Sequence, residues 1–339
     1  MQIERRALYN LLRMNWQLDP NIDIEPWQID NYRALPTERL FDLLRELHID
    51  LDKYHFAAIA DTCDTPEELT DYIIGDSIYK TSEKDRIYLI LFELWRRIEP
   101  AKPCLSVFCD ELDHQINLYD QGKISNLEAL HDAIADLQAI LDENVDQGVP
   151  AADVFESISL GCAHDVESFL YDFIAEQIDT SNFSYARELL EGLMPYVTDK
   201  KWFNFLNAQV IASTDIQEAN NRLRVLVENN PEPDLQFNLE LLSFLAREGD
   251  HDLFVKLVIE SIPLVEVEED LHEILSTTSD FYHYLDREQD EHEVQEILSK
   301  RRLRAPEEPV KRDDPDIEKL IAMMEKSLPV QKRMNKRES

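Results

Sequence analysis

The sequence predicts an all-α protein built largely from paired helices, and three observations carry that prediction. Glycine is scarce, at 6 of 339 residues, while Leu, Ile, Ala, Glu and Asp dominate. Long alternating β-branched runs are absent. Apolar residues recur at helical spacing, most legibly in KWFNFLNAQVIASTDIQEANNRLRVLVENNP. There Phe203, Leu206 and Val210 form one stripe. After the break at Ser213-Thr214-Asp215, Ala219, Leu223, Leu226 and Val227 form a second, which Pro231 closes. Neither helix buries its stripe alone, so the pair requires neighbours like itself.

Charge and cysteine content narrow the class further. The chain carries 34 Lys and Arg against 70 Asp and Glu, a formal net charge of -36. From Lys300 onward there are 12 basic and 8 acidic residues, so the preceding body carries -40. A body this acidic repels nucleic acid phosphates and attracts basic partners, or simply keeps a helical surface in solution. Cys63, Cys104, Cys109 and Cys162 show no CxxC and no zinc-like spacing, and read as reduced core thiols. The start, MQIERRALYNLLRMNW, is a charged amphipathic helix rather than a signal peptide. The most apolar run, Ile87 to Trp95, is interrupted by Glu93 and is too short to span a bilayer. No membrane insertion and a cytoplasmic location are therefore expected.

Taken in order, residues 2–14 predict a first helix. Pro20, Pro26 and Pro36 then forbid a continuous one, and Trp16, Trp27 and Tyr32 are expected to pin this extended stretch to the body. Thr37 with Leu40, Leu43, Leu44 and Leu47 makes a capped stripe, and Asp50 to Ala60 another helix. Thr65-Pro66-Glu67-Glu68 is a helix start, with a capping threonine, proline in the first turn and early acids. Ser82 to Ile98 is apolar on nearly every face and belongs deep in the body. Helices at about 104–120 and 126–142 are joined by Gln121-Gly122-Lys123, and another follows at 151–163 after Gly148 and Pro150.

From about Glu167 a repeat emerges. Leu170 and Phe173, a turn at Ser181-Asn182-Phe183, then Ala186, Leu190 and Leu193 form one unit; Phe203 to Leu226 form the next. Asn238, Leu241 and Leu245, then Gly249-Asp250, then Phe254, Val258 and Ser261 form a third. The anchors Ala186, Ala219 and Phe254 are 33 and 35 residues apart. This period, the glycine-acid turn at Gly249-Asp250, the small Ala219 and the closing Pro231 resemble a degenerate tetratricopeptide repeat over residues 167–266. Leu242 and Phe254 stand where that family has small residues, and the third unit has only Pro263, a few residues early. The resemblance implies a right-handed helix-pair solenoid, a tetratricopeptide-like α-α superhelix, preceded by an N-terminal helical domain.

The expected organisation is a helical region at 1–100, a helical hairpin region at 104–163, and repeats with capping helices at 167–303. A linker at 305–314, an amphipathic helix at 315–328 and a basic disordered tail at 329–339 complete it. Asp314 caps the amphipathic helix, Pro315 lies in its first turn and Pro329 stops it. Its stripe, Ile317, Leu320, Ile321, Met324 and Leu328, either folds back on the body or docks in a partner's groove.

Most catalytic signatures are missing: GxGxxG, GxxxxGK[ST], GxSxG and HExxH do not occur, and no cofactor is expected. Glu111 with His114, and Glu128 with His131, are two Glu-x-x-His pairs of the kind that build di-iron sites in helical bundles. The same spacing at Glu248/His251, Glu269/His272 and Asp280/His283 reads as surface ion pairing. Lys300-Arg301-Arg302-Leu303-Arg304 either touches an anionic partner or rests on the acidic body. The resemblance further implies that first helices line a concave groove, through Tyr171, Ala175, Lys201, Asn204, Ala208, Gln236, Leu239 and Ser243. Family members that hold an acidic chaperone peptide use a cluster of Lys, Arg and Asn. Lys201 and Asn204 are too few for that.

The reading is a non-catalytic adaptor, scaffold or chaperone-like protein. It binds another protein that is basic or presents an apolar helix or peptide; nucleic acid is disfavoured. The alternatives are a metal-dependent helical-bundle enzyme at Glu111, His114, Glu128 and His131, or a nucleic-acid-associated regulator acting through the basic tail.

Overall fold

A computed structural model of the chain describes residues 4–75, 78–124, 126–230 and 232–327. Pro231, Leu328 and the segment 329–339 lie outside the described residues, and with them the closing proline, the end of the stripe, and the basic tail with its Pro329. Among the described residues there are eighteen α-helices packed in neighbouring pairs, and the only extended pairing is an isolated bridge between Val267 and Pro309. No helix there is long and apolar enough to cross a membrane. The chain divides into two compact units. One holds the residues up to Phe173 together with Gly192–Thr198; the other holds Ile174–Glu191 and the residues from Asp199 on. The division falls inside α10 (Val166–Asp179) and α11 (Phe183–Leu193).

The first unit contains α1 (Glu4–Leu18), α2 (Pro26–Ile29), a 3-10 turn (Tyr32–Ala34), α3 (Thr37–Glu46), α4 (Lys53–Ala60) and α5 (Pro66–Ile74). It continues with α6 (Thr81–Ile98), α7 (Leu105–Asp120), α8 (Glu128–Asp146) and α9 (Ala151–Gly161). Helix α6 is its axis: every residue from Ile87 to Trp95 is buried, because α3, α4 and α5 all pack on it. The one charge in that run, Glu93, is paired with Arg96 at 2.6 Å and Arg97 at 2.5 Å, which removes the cost of leaving a carboxylate unpaired there. Arg97 also donates to the carbonyls of Tyr32 (3.1 Å), Arg33 (3.0 Å) and Leu35 (2.7 Å), and so fastens the proline-rich stretch. Tyr32 is buried and Trp27 packs on Tyr9 with ring centroids 6.0 Å apart, but Trp16 stays 36% exposed. That corrects the expectation for Trp16, which rides on an α1 extended to Leu18. Thr65 caps α5 as expected, accepting from the Glu68 amide at 3.2 Å.

A second tie holds α1 in place. Asp110 accepts from Arg6 (2.6 Å), Arg33 (2.5 Å) and Asn10 (3.0 Å). One turn along α7, Asp113 accepts from Asn10 (3.1 Å) and from the amides of Ala163 (2.8 Å) and His164 (3.1 Å). Burial alone would raise the Asp110 carboxyl, but the two guanidinium groups outweigh it and hold the group well below the usual carboxylate range. Four segments distant in sequence are joined by these two carboxylates.

The second unit contains α12 (Lys200–Ala212), α13 (Ile216–Asn229), α14 (Leu235–Glu248), α15 (His251–Ser261), α16 (Glu268–Tyr284), α17 (Glu288–Arg301) and α18 (Pro315–Ser327). Asp215 and Asp250 cap α13 and α15 by accepting two backbone amides each, which is why the chain breaks there. The anchors Ala219 and Phe254 are completely buried. First helices of successive pairs meet through aromatic rings: Trp202 and Phe205 of α12 lie 5.0 and 6.1 Å from Phe237 of α14, and α14 packs in turn on α16. Phe254 stacks on Phe281 at 4.0 Å.

The end of this unit is tied down. Arg301, only 2% exposed, donates to both oxygens of Glu268 (2.6 and 2.9 Å), to Asp314 (2.8 Å) and to Asp316 (2.9 Å). The stretch 305–314, read from sequence as a linker, is bonded through its backbone to the start of α16. Glu268 N donates to Glu308 O (2.9 Å), Glu269 N to Pro306 O (3.0 Å) and Val310 N to Glu266 O (2.9 Å). Of the tail stripe, Ile317, Leu320 and Met324 are buried against the core formed with α15 and α17, and Ile321 is partly buried there. The stripe therefore docks in cis.

Candidate functional site: an amide-lined trough

Two adjoining depressions, of about 450 and 290 Å³, share Asn229 and Asn230 and lie along α12, α13 and the start of α14. In the larger, Asn204 and Asn207 of α12 face Glu218, Asn221, Arg222, Val225 and Asn229 of α13, with Leu226 beneath. The α13 positions follow i, i+3, i+4, i+7, so one helix face presents them together. Among the described residues the side-chain amides of Asn204, Asn207, Asn221 and Asn229 make no hydrogen bond. Glu218 and Arg222 pair with each other at 2.8 Å, and Val225 is 54% exposed. The surface is therefore uncharged at its centre. Each amide offers one carbonyl acceptor and two N–H donors, the complement of an unpaired peptide group.

The smaller depression contains Lys201, whose ammonium is ion-paired with Asp234. The hydrogen bond to Asp234 raises the Lys201 ammonium above its ordinary value. Burial would raise Asp234, yet the same bond outweighs it and lowers that carboxyl. Both groups stay charged at neutral pH and neutralise one another.

Of the residues predicted to line a groove, the structure brings Lys201 and Asn204 to this trough. Gln236 and Ser243 are exposed on α14 but do not line it. Ala208 and Leu239 are buried in the core, where they pack neighbouring helices and are closed to a partner. Tyr171 belongs to the first unit, and Ala175 is part-buried on α10. The asparagines of α13 are not anticipated, because the expected groove uses first helices alone. A signal existed: asparagine is a poor helix former, yet Asn220, Asn221 and Asn229 all lie within α13.

The two Glu-x-x-His pairs do not assemble. Glu111 is held by Arg33 and Gln115, each at 2.8 Å. His114 lines a small polar pocket with Arg6, Arg13, Arg33, Asp110 and Asp113, and both carboxylates there are already taken, Asp110 by Arg6 and Arg33 and Asp113 by Asn10 and the amides of Ala163 and His164. Burial first, and then Arg33, lowers the His114 imidazole below its ordinary value. Glu128 is exposed and accepts from Asn126 at 2.9 Å, while the His131 ring packs on Phe173. Among the described residues no three His, Cys, Asp or Glu side chains gather as metal ligands. In the basic segment, Arg301 and Arg304 turn inward onto Glu268, leaving Leu303 almost fully exposed. Compared with known protein families, curated proteins and solved structures, the chain matches none.

Proposed function

We propose that this chain is a non-catalytic protein-interaction protein, an adaptor or scaffold, whose α12–α13 trough holds an extended segment of a partner by its main chain. The observation that carries the reading is the set of four asparagine amides facing one depression without protein partners. A helical partner satisfies its own backbone groups, whereas an extended one presents unpaired N–H and C=O groups that such amides match. Exposed Val225 gives one apolar contact and orients the segment. Main-chain binding of this kind tolerates varied partner sequences.

The packing of α12 on α14 and α14 on α16 supports a helix-pair solenoid of the tetratricopeptide type. The test is selection of a random peptide library on the full chain, followed by calorimetric titration of the selected peptides. Asn204→Ala/Asn221→Ala should weaken them about tenfold or more, since losing two hydrogen bonds is worth roughly 1–3 kcal/mol. Failure to select any peptide, or equal affinity for the double variant, would refute the reading.

A further inference from the structure

We infer that the first unit carries a separate docking site, a groove between α7 and α8 that takes a basic amphipathic helix from another protein. The groove has a volume of about 590 Å³, larger than either part of the amide-lined trough. Its floor is apolar: Trp95 at the end of α6, Val107 and Phe108 of α7, and Ala133 and Ile140 of α8. Its far wall is a single face of α8, recurring at three- and four-residue steps from Ala129 to Glu143. At 1.5 Å per residue that face is about 21 Å long, the length of a helix of roughly 14 residues.

The chemistry of the walls selects the occupant. Ala129 and Ala139 are small and exposed, so they leave room for a helix backbone to approach to the roughly 8–10 Å typical of packed helices. Helices α1 and α9 cover other faces of α7, and α9 also packs on α8, but the groove face remains open. Its cations are already engaged. Arg96 is paired with Glu93 at 2.6 Å, and Lys102 donates to the carbonyls of Ala60 (2.9 Å), Asp61 (3.0 Å) and Cys63 (3.3 Å). Its acids are not. Among the described residues Glu99, Asp132, Asp136 and Glu143 form no ion pair. Asp132 and Asp136 are four residues apart on one face, a like-charge arrangement that is unfavourable until a cation arrives.

An apolar floor under uncompensated carboxylates fits a helix with a Leu, Phe or Met stripe flanked by Lys and Arg. The same carboxylates repel phosphate, so neither nucleic acid nor an anionic lipid surface suits the groove. This site is independent of the amide-lined trough: it reads a helix by its side chains, where the trough reads an extended main chain.

The test uses the full chain and a panel of synthetic amphipathic helices of about 15 residues with varied Leu, Phe and Met stripes, each made with lysine flanks and with glutamate flanks. Fluorescence anisotropy at about 50 and 300 mM salt should show lysine-flanked members binding at least about tenfold more tightly than their glutamate twins, with the difference shrinking at high salt. Ala139→Arg, at an exposed position, should fill the groove and weaken binding by about tenfold or more. Asp132→Lys/Asp136→Lys should reverse the flank preference, and Asn204→Ala/Asn221→Ala should leave it unchanged. Circular dichroism and thermal midpoints confirm that each variant is folded. The inference is overturned if no panel member binds below about 100 μM, if the twins bind equally, or if the charge-reversed variant keeps the lysine preference.

Discussion

Replacing Arg301 by methionine should release the end of the second unit. The guanidinium makes four hydrogen bonds of 2.6–2.9 Å to three carboxylates, two on Glu268 and one each on Asp314 and Asp316. Without it, Glu268 keeps only Arg304 at 2.6 Å, and Asp314 keeps Arg304 at 3.5 Å and the Asp316 amide at 2.9 Å. Both carboxylates are buried, so the loss resembles breaking a buried ion pair from one side, about 3–5 kcal/mol. At about 1.4 kcal/mol per decade, local opening becomes roughly two to three and a half orders of magnitude more frequent. The appropriate assay is amide hydrogen exchange, because a chain of two units need not unfold in one step. Exchange should accelerate at Glu268, Glu269 and Val310 and through α18, while α6 is unaffected. Adding Glu268→Gln and Asp314→Asn to Arg301→Met should recover part of the loss, since the stranded charges are then gone. If Arg301→Met exchanges like the wild type at Val310 and in α18, the hub does not hold the tail, and docking of α18 in cis rests on its apolar stripe alone.

Three further outcomes are expected. Asp110→Asn should cost about 3–5 kcal/mol at neutral pH by stranding Arg6 and Arg33. Because the Asp110 carboxyl is held below its usual range, its contribution is complete above about pH 4 and is lost as the pH falls through the folded value, so exchange in α1 should rise on acidification in the wild type but not at this step in the variant. Gly249→Ala would place a Cβ 2.5 Å from the Leu245 Cα and should lower the melting temperature by an amount equivalent to about 1–3 kcal/mol; an unchanged midpoint would contradict the close approach. Leu239→Glu should unfold the region around α14 at a cost of about 3 kcal/mol or more, whereas a stable, well-folded variant would return Leu239 to an accessible groove.

Much of the architecture was legible because it is written locally. Thr65, Asp215 and Asp250 announce helix starts through caps that act over two or three residues. The continuous apolar run of α6 announces burial on all sides, and the spacing of Ala186, Ala219 and Phe254 marks positions that are completely buried. What escaped prediction is bonding between segments far apart in the chain. Arg6 meets Asp110 across 104 residues, and Arg301 meets Glu268 across 33, with no pattern to link them. The proline-containing stretch 305–314 has the composition of a linker, yet backbone hydrogen bonds to Glu266, Glu268 and Glu269 order it. At the candidate site, the first-helix rule led to Ala208 and Leu239, which pack inward, and passed over Asn221 and Asn229 on the second helix. Helical spacing shows which residues share a face. It does not show which of two faces the next helix covers.

The central claim is that the trough holds a partner through its peptide groups. The most direct measurement compares two scans of one selected peptide: N-methylation of each backbone amide, and alanine at each side chain. Main-chain recognition predicts that N-methylation at several successive positions weakens binding about tenfold or more each, while most alanine substitutions change it by less than about threefold. The opposite pattern, with alanine abolishing binding and N-methyl groups tolerated throughout, would contradict the account.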